Sequence, residues 1–168
     1  RVLGGHEVVV WNRSKGKAAE LVAAGAVEAA SPAEVAASCP VTFAMLADPA
    51  ASRAAVFGAR GVIEGIKNGH AFVDSSTVDE ATGEDIGAAV VAKNGRFLAA
   101  PVSGGWRDAV KGELLFIAGG DKSVFDEVTA EGGVMRSMGH KHWLVGESAK
   151  DAARAKLMLQ VLMGSFVA

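Results

Sequence analysis

The sequence has one cysteine, no long apolar run, no excess of either charge and no internal repeat, and each lack removes a class of protein. Cys39, the single cysteine, cannot form an internal disulfide, which suits a reducing compartment, and nothing near it in sequence would activate a thiol. Seventeen basic residues against nineteen acidic ones leave a net charge of −2, so there is no electrostatic case for nucleic acid or an anionic membrane as a partner. No apolar stretch approaches the roughly 18 residues of a membrane span. No low-complexity tract or linker interrupts the chain. No signal or transit peptide is visible, and the chain starts at Arg1 in what reads as the middle of an element. What is there is 168 residues, half of them hydrophobic: enough for one domain, or one domain and part of another.

Strand and helix signals alternate along nearly all of that length. Residues 7–11, rich in β-branched side chains, read as a strand. The preceding Gly4-Gly5 looks like the stop of a helix, of which Arg1-Val2-Leu3 remains. Residues 15–24 read as a helix ended by Gly25. Ser31-Pro32-Ala33-Glu34 is a helix start, with a cap, a proline at the first position and an acid in the first turn. Residues 41–46 form the next buried strand, and Asp48-Pro49 opens another helix. A helical turn or two covers 61–67, a strand 71–74, a helix 79–92 and a strand 96–100. Two further strands, 114–118 and 142–145, flank a helix near 123–130, and Gly132-Gly133 reads as a loop insertion. Continuous apolar strands with helical crossovers predict an α/β fold, a mostly parallel sheet covered on both faces. The last helix, capped by Ser148, runs to at least Phe166 and is nearly all apolar after Lys156. A helix apolar all round must be buried on most sides, so it is expected to meet a second domain or subunit.

The chemistry gathers at strand ends, where open parallel sheets bind ligands. Ala100-Pro101-Val102-Ser103-Gly104-Gly105 ends a buried strand in a hydroxyl and two glycines, a cradle suited to a carboxylate or carbonyl oxygen. An ordinary strand exit would have the same composition. Three more ends are Asn12-Arg13-Ser14, Met45-Leu46-Ala47 and Ser75-Ser76-Thr77. An acid at the first of these would favour NAD through the ribose, whereas arginine accommodates the 2′-phosphate of NADP. Arg13-Ser14 therefore favours NADP, although a solvated arginine before a helix looks the same, and Ser76-Thr77 also fits a cap for the helix at Asp79. Lys156 and Gln160 share a helix face. A lysine entering an apolar helix is either a group with lowered pKa suited to acid–base work or a snorkelling side chain. His140 and His142 fall on one strand face, but no third ligand lies near them in sequence, so they read as structural or surface residues and no metal is expected.

Taken together, Trp11-Asn12-Arg13-Ser14, Met45-Leu46-Ala47-Asp48-Pro49, Val73-Asp74-Ser75-Ser76-Thr77-Val78, Pro101-Val102-Ser103-Gly104, Ala118-Gly119-Gly120-Asp121 and Met163-Gly164-Ser165 resemble the β-hydroxyacid dehydrogenases, nearest the plant-type glyoxylate/succinic semialdehyde reductases. The resemblance implies a Rossmann-like doubly wound domain over 1–146, its first strand and glycine-rich loop expected before Arg1. Residues 147–168 would start an interdomain helix leading to an all-helical domain. Lys156 then matches the catalytic lysine; Ser103, Gly104, Gly105 and Gln160 fall on the substrate side. Asn12, Arg13, Ser14, Met45, Leu46 and Thr77 fall on the NADP side. The implied activity is NADPH-dependent reduction of a small aldehyde acid, in a homo-oligomer, in the cytoplasm or a plastid or mitochondrion. A non-catalytic scaffold relative and an NAD-dependent 3-hydroxyisobutyrate-type dehydrogenase are the alternatives. The chain departs from the family pattern at Lys150 and Ala152, where the lysine motif has glycines, at Gln160, where it has asparagine, and at Ala100, where an acid is usual.

Overall fold

A computed structural model describes residues 5–167; the expected helix remnant at Arg1-Val2-Leu3, with Gly4, lies outside the described residues. In chain order the elements are β1 (Val9–Val10), α1 (Ala19–Ala23), β2 (Val27–Glu28), α2 (Pro32–Ser38), β3 (Val41–Ala44), α3 (Pro49–Phe57), α4 (Val62–Gly65), β4 (Ala71–Asp74) and α5 (Glu80–Ala92). There follow β5 (Arg96–Ala99), β6 (Val102–Ser103), α6 (Trp106–Lys111), β7 (Leu114–Gly120), α7 (Lys122–Thr129), α8 (Val134–Met138), β8 (Gly139–Gly146) and α9 (Ala149–Val167).

The helices start where their side chains can satisfy free backbone N–H groups. Ser31 Oγ accepts from the Glu34 N–H at 3.2 Å, and Glu34 returns a carboxylate to the Ala30 N–H. Asp48 accepts from Ala51 at 2.7 Å and Asp79 from Thr82 at 2.9 Å. Ser148 and Asp151 cap α9 reciprocally: the Asp151 N–H donates to Ser148 Oγ, and the Ser148 N–H and hydroxyl donate to Asp151 Oδ2. Helix α1 is shorter than the sequence pattern suggests because Gly16 sits at φ +81°, a left-handed position that delays helical geometry.

The main sheet has the order β3-β4-β5-β7, with β6 also on β7 and β8 on its far side. β3, β4 and β5 are mutually parallel, and so are β7 and β8, but β5 and β6 run antiparallel to β7. The sheet is the expected Rossmann-like, mostly parallel one, with an antiparallel section where β5 and β6 meet β7. A parallel return needs a crossover of about a dozen residues or more. The connection 104–113 carries only α6 and a left-handed Gly112 (φ +70°), and it brings the chain back beside the strand it has just left. Nor does the strand simply stop at Pro101. That residue lacks the N–H a ladder needs, yet its carbonyl accepts from the Ile117 N–H at 3.0 Å, and pairing resumes as β6.

β1 and β2 form a separate parallel pair, Val9 opposite Val27, and among the described residues no ladder joins them to β3. The strand expected over 7–11 shrinks to two paired residues because β2, its one ladder partner among the described residues, meets it only at Val9 and Val10. β2, α6 and α8 have no counterpart in the sequence reading; Gly132-Gly133 is the expected loop, and α8 begins directly after it.

Alternation along β4 and β5 supplies both faces of the core. Phe72 and Phe97 pack with Ile86 and Val90 of α5 and with Ala149 and Ala152 of α9. Val73 and Leu98 face the other way, onto Phe116, Val124, Val128 and Met135. Burial on both faces is why these strands read as unbroken apolar runs.

Helix α9 lies close on the sheet at Gly119, where a Cβ would run into the Ser148 carbonyl oxygen and lie 3.1 Å from Ala152 Cβ. Gly119→Ala should destabilise the fold by about 1–3 kcal/mol, the usual cost of overpacking, read as a lower urea midpoint; an unchanged midpoint would mean that α9 gives way freely.

Candidate functional site

The site forms where β6, β8 and α9 meet. Ser103, Gly104, Gly105, Lys156 and Gln160 all line one open pocket of about 920 Å³, so the structure brings together the five residues that the sequence places on the catalytic and substrate side. Lys156 reaches the pocket from the stretch of α9 that still lies on the sheet, and is 6% exposed. Burial holds its ammonium below the usual lysine pKa, because a low-dielectric setting penalises the charged form. Gln160, one turn on, is exposed.

The glycine turn differs from expectation in one respect. The Gly105 N–H donates to Asp108 Oδ2 at 2.6 Å, so it is engaged by the chain's own carboxylate. The sequence reading missed Asp108, although an acid three residues beyond a helix start is a recognisable capping signal. Gly104 takes φ +132° with Leu114 Cδ2 3.0 Å from where a Cβ would stand, and Ser103 is held in register opposite Leu115.

The remaining wall adds groups that sequence reasoning did not assign to the site: Glu113, Leu115, His140, Lys141, Trp143 and Met163. His140 Nδ1 and His142 Nε2 each lie 3.1 Å from a backbone carbonyl, those of Glu113 and Met135, so each of those nitrogens carries the proton it donates. His142 also stacks on Phe116. Among the described residues no three His, Cys, Asp or Glu side chains gather as a metal site would require.

A second, narrow cleft runs beneath α9 and is lined by Asp74, Ser76, Thr77, Ala149, Ala153 and Lys156, among others. Thr77 and Lys156 therefore line the same cleft. The Leu46 N–H donates to Ser76 Oγ at 2.9 Å, tying the end of β3 to the end of β4. Met45 beside it is 67% exposed, an apolar surface on which a flat ring could lie. Asn12, Arg13 and Ser14 stand apart at the end of β1, in a turn closed by Asn12 Oδ1 accepting from the Ser14 N–H. They line none of the pockets described here, and Arg13 makes no salt bridge among the described residues.

Gly104→Ala should destabilise the protein by about 1–3 kcal/mol, the cost of forcing a side chain into that backbone region. Gly105→Ala, with ordinary φ and only Asp108 Oδ2 at 3.7 Å, should change little. Equal urea midpoints for the two variants would show that the turn is not constrained in this way.

Residues 2–146 match the family described as the NAD binding domain of 6-phosphogluconate dehydrogenase. Over 164 residues the chain is 40% identical to Cytokine-like nuclear factor N-PAC of Xenopus tropicalis, covering 98% of this chain and 30% of that protein. It is 40% identical over 163 residues to Glyoxylate/succinic semialdehyde reductase 1 of Arabidopsis thaliana, covering 97% and 55%. The crystal structure of 3-hydroxyisobutyrate dehydrogenase from Salmonella typhimurium superposes with a TM-score of 0.86 at 28% identity, over 96% of this chain and 55% of that one. The chain thus spans between about a third and about half of these proteins.

Proposed function

The chain belongs to the family of the NAD binding domain of 6-phosphogluconate dehydrogenase, within the β-hydroxyacid dehydrogenases, and from that premise we propose that the whole protein reduces a small aldehyde acid, glyoxylate or succinic semialdehyde, with NADPH. The observation that carries this reading is the meeting of a buried lysine with Ser103 and Gln160 in one pocket, the same lysine lining a second cleft with Thr77.

The residues present fit a dinucleotide. A small polar turn, Ser75-Ser76-Thr77, ends β4, Met45 after β3 offers an apolar surface, and Arg13, with no ion pair among the described residues, suits a 2′-phosphate with Ser14 beside it. In this reading Asn12, Arg13 and Ser14 hold the adenosine end, and Met45, Leu46 and Thr77 the rest. Bound NADPH supplies a hydride. As negative charge builds on the substrate oxygen, Lys156 Nζ stabilises it and gives up a proton to it. Ser103 and the Gly104 backbone hold the substrate carboxylate. Gly105, its N–H engaged by Asp108, shapes the turn instead. Gln160 hydrogen-bonds the substrate or steadies Lys156, while Leu115 and Met163 keep that wall apolar.

Lys156→Met in the whole protein should lower kcat by about 10²–10⁴-fold, the range for loss of general acid–base catalysis, with NADPH affinity nearly unchanged. A snorkelling lysine would tolerate methionine, so near-parental single-turnover hydride transfer would end the reading. Arg13→Ala should lower kcat/KM for NADPH by about 10–100-fold, the worth of a charged hydrogen bond, and leave NADH nearly untouched. An equal effect on both cofactors, or a parental preference for NADH, would turn the reading to an NAD-dependent 3-hydroxyisobutyrate-type enzyme.

A further inference from the structure

Two buried groups of opposite charge line the cleft beneath α9. Asp74, the last residue of β4, is 3% exposed. Its Oδ1 accepts from the Ser76 N–H at 2.9 Å, but Oδ2 is buried without a hydrogen-bond partner among the described residues. Lys156 is nearly as buried and makes no ion pair among the described residues. A buried charge left alone is costly enough that folded proteins pair it, bridge it or neutralise it.

Both side chains line one narrow cleft. Asp74 shares a face of β4 with Phe72, two residues earlier, and that face packs against Ala149 and Ala152 of α9. Ala149, Ala153 and Lys156, spaced four and three apart on one stripe of α9, line the same cleft as Asp74. The cleft has about 10 Å³ of room, which is about what one water needs. The polar groups around it supply the partners such a water requires: Asp74, Ser76, Thr77 and Lys156.

We infer that Asp74 is the buried counter-charge of Lys156, joined to it by one water held in the cleft, and that it keeps Lys156 an ammonium facing the substrate pocket. Asp74 acts through Lys156 and is a positioning residue. Its catalytic consequence rests on the reading of Lys156 as proton donor; the pairing itself does not. Burial raises the Asp74 pKa and lowers that of Lys156, the directions in which each group alone would lose its charge.

The other charges nearby are engaged or lie on the far side. On α5, Glu80 pairs with Arg154 and Lys150 of α9, and Asp85 pairs with Arg53; Glu84 acts on Arg154. Asp151 is held by Ser148. β3 has no charged residue, and Arg96 of β5 pairs with Glu127. Asp108, Glu113, His140 and Lys141 reach Lys156 only from the open pocket, and of these Asp108 is bound to Gly105 and Glu113 lies 3.7 Å from Lys111.

The test reads each charge while the other is removed, in the whole protein without cofactor. Asp74→Asn is nearly isosteric and can keep the bond from the Ser76 N–H. In lysine-labelled NMR it should lower the Lys156 titration midpoint by about one unit or more, the size expected for losing a near opposite charge. By linkage, Lys156→Met should raise the Asp74 carboxyl midpoint by the same amount. If Asp74→Asn does not fold, the Lys156→Met arm reads the same coupling alone. With NADPH present, the alkaline limb of kcat should move to lower pH in Asp74→Asn while KM for NADPH stays. Unmoved midpoints overturn the pairing, even if the variant melts earlier or binds NADPH more weakly, as a merely structural role would have it. A parent that turns over no aldehyde acid ends the reductase reading alone, because the midpoints still decide the pair.

Discussion

Helix α9 lies against the sheet at Gly119, where only a hydrogen fits between the strand and the Ser148 carbonyl oxygen. That approach sets the height of the helix over the sheet, and the Ser148–Asp151 cap sets where its first turn begins. Height and starting point together fix which residue sits above which strand end. Ala149 and Ala152, small and buried, keep the helix close. The ion pairs from Glu80 to Arg154 and Lys150 are half-exposed and add little stability on their own, but they clip α9 to α5 on its outer side. Lys156 is therefore presented by a seated helix rather than by a loop, as the proposed proton transfer would need.

The opposite wall depends on a proline. Pro101 removes one donor from the ladder, yet its carbonyl stays bonded to Ile117, so the edge breaks without separating. The short piece that follows, Val102–Ser103, is antiparallel to β7 and carries Ser103 into the pocket wall. Had the chain crossed over to make a parallel strand, the glycine turn would have ended at a different edge, away from α9. The mixed sheet is thus the arrangement that puts Ser103 and Lys156 in the same pocket.

Features written in adjacent residues were legible in the sequence. Caps at Ser31, Asp48 and Ser148 are local, and all three hold; the helix expected to start from Ser76-Thr77 is capped by Asp79 instead. β3, β4, β5 and β7 hold as well, their burial on both faces leaving an unbroken apolar run. What was not legible is decided by distant partners. The direction of β7 follows from how short a connection the chain has, not from its own composition. The signal at residues 7–11 was strong, but a strand is only as long as its ladder, and β2 offers two residues. The Gly105 N–H looked available until Asp108 folded back on it. Asp74 looked like an ordinary strand-end residue, because its burial comes from α9 packing over it. Lys156 and Ser103 were found through motifs; the structure adds that they share a pocket.

Along α9 the surroundings change within three turns. Ala152 is buried, Lys156 nearly so, and then Met158 and Val161 are 68% and 72% exposed. The helix leaves the sheet as it passes Lys156, so the lysine sits at the boundary between an interior and an open pocket. A position two turns earlier would bury the ammonium where only neutralisation could stabilise it. Two turns later it would be solvated and titrate as any surface lysine, poorly suited to holding a proton for a substrate and then releasing it. The boundary gives partial desolvation on one side and access on the other. The small residues that let α9 approach the sheet are thus also what decides how far along the helix that boundary falls.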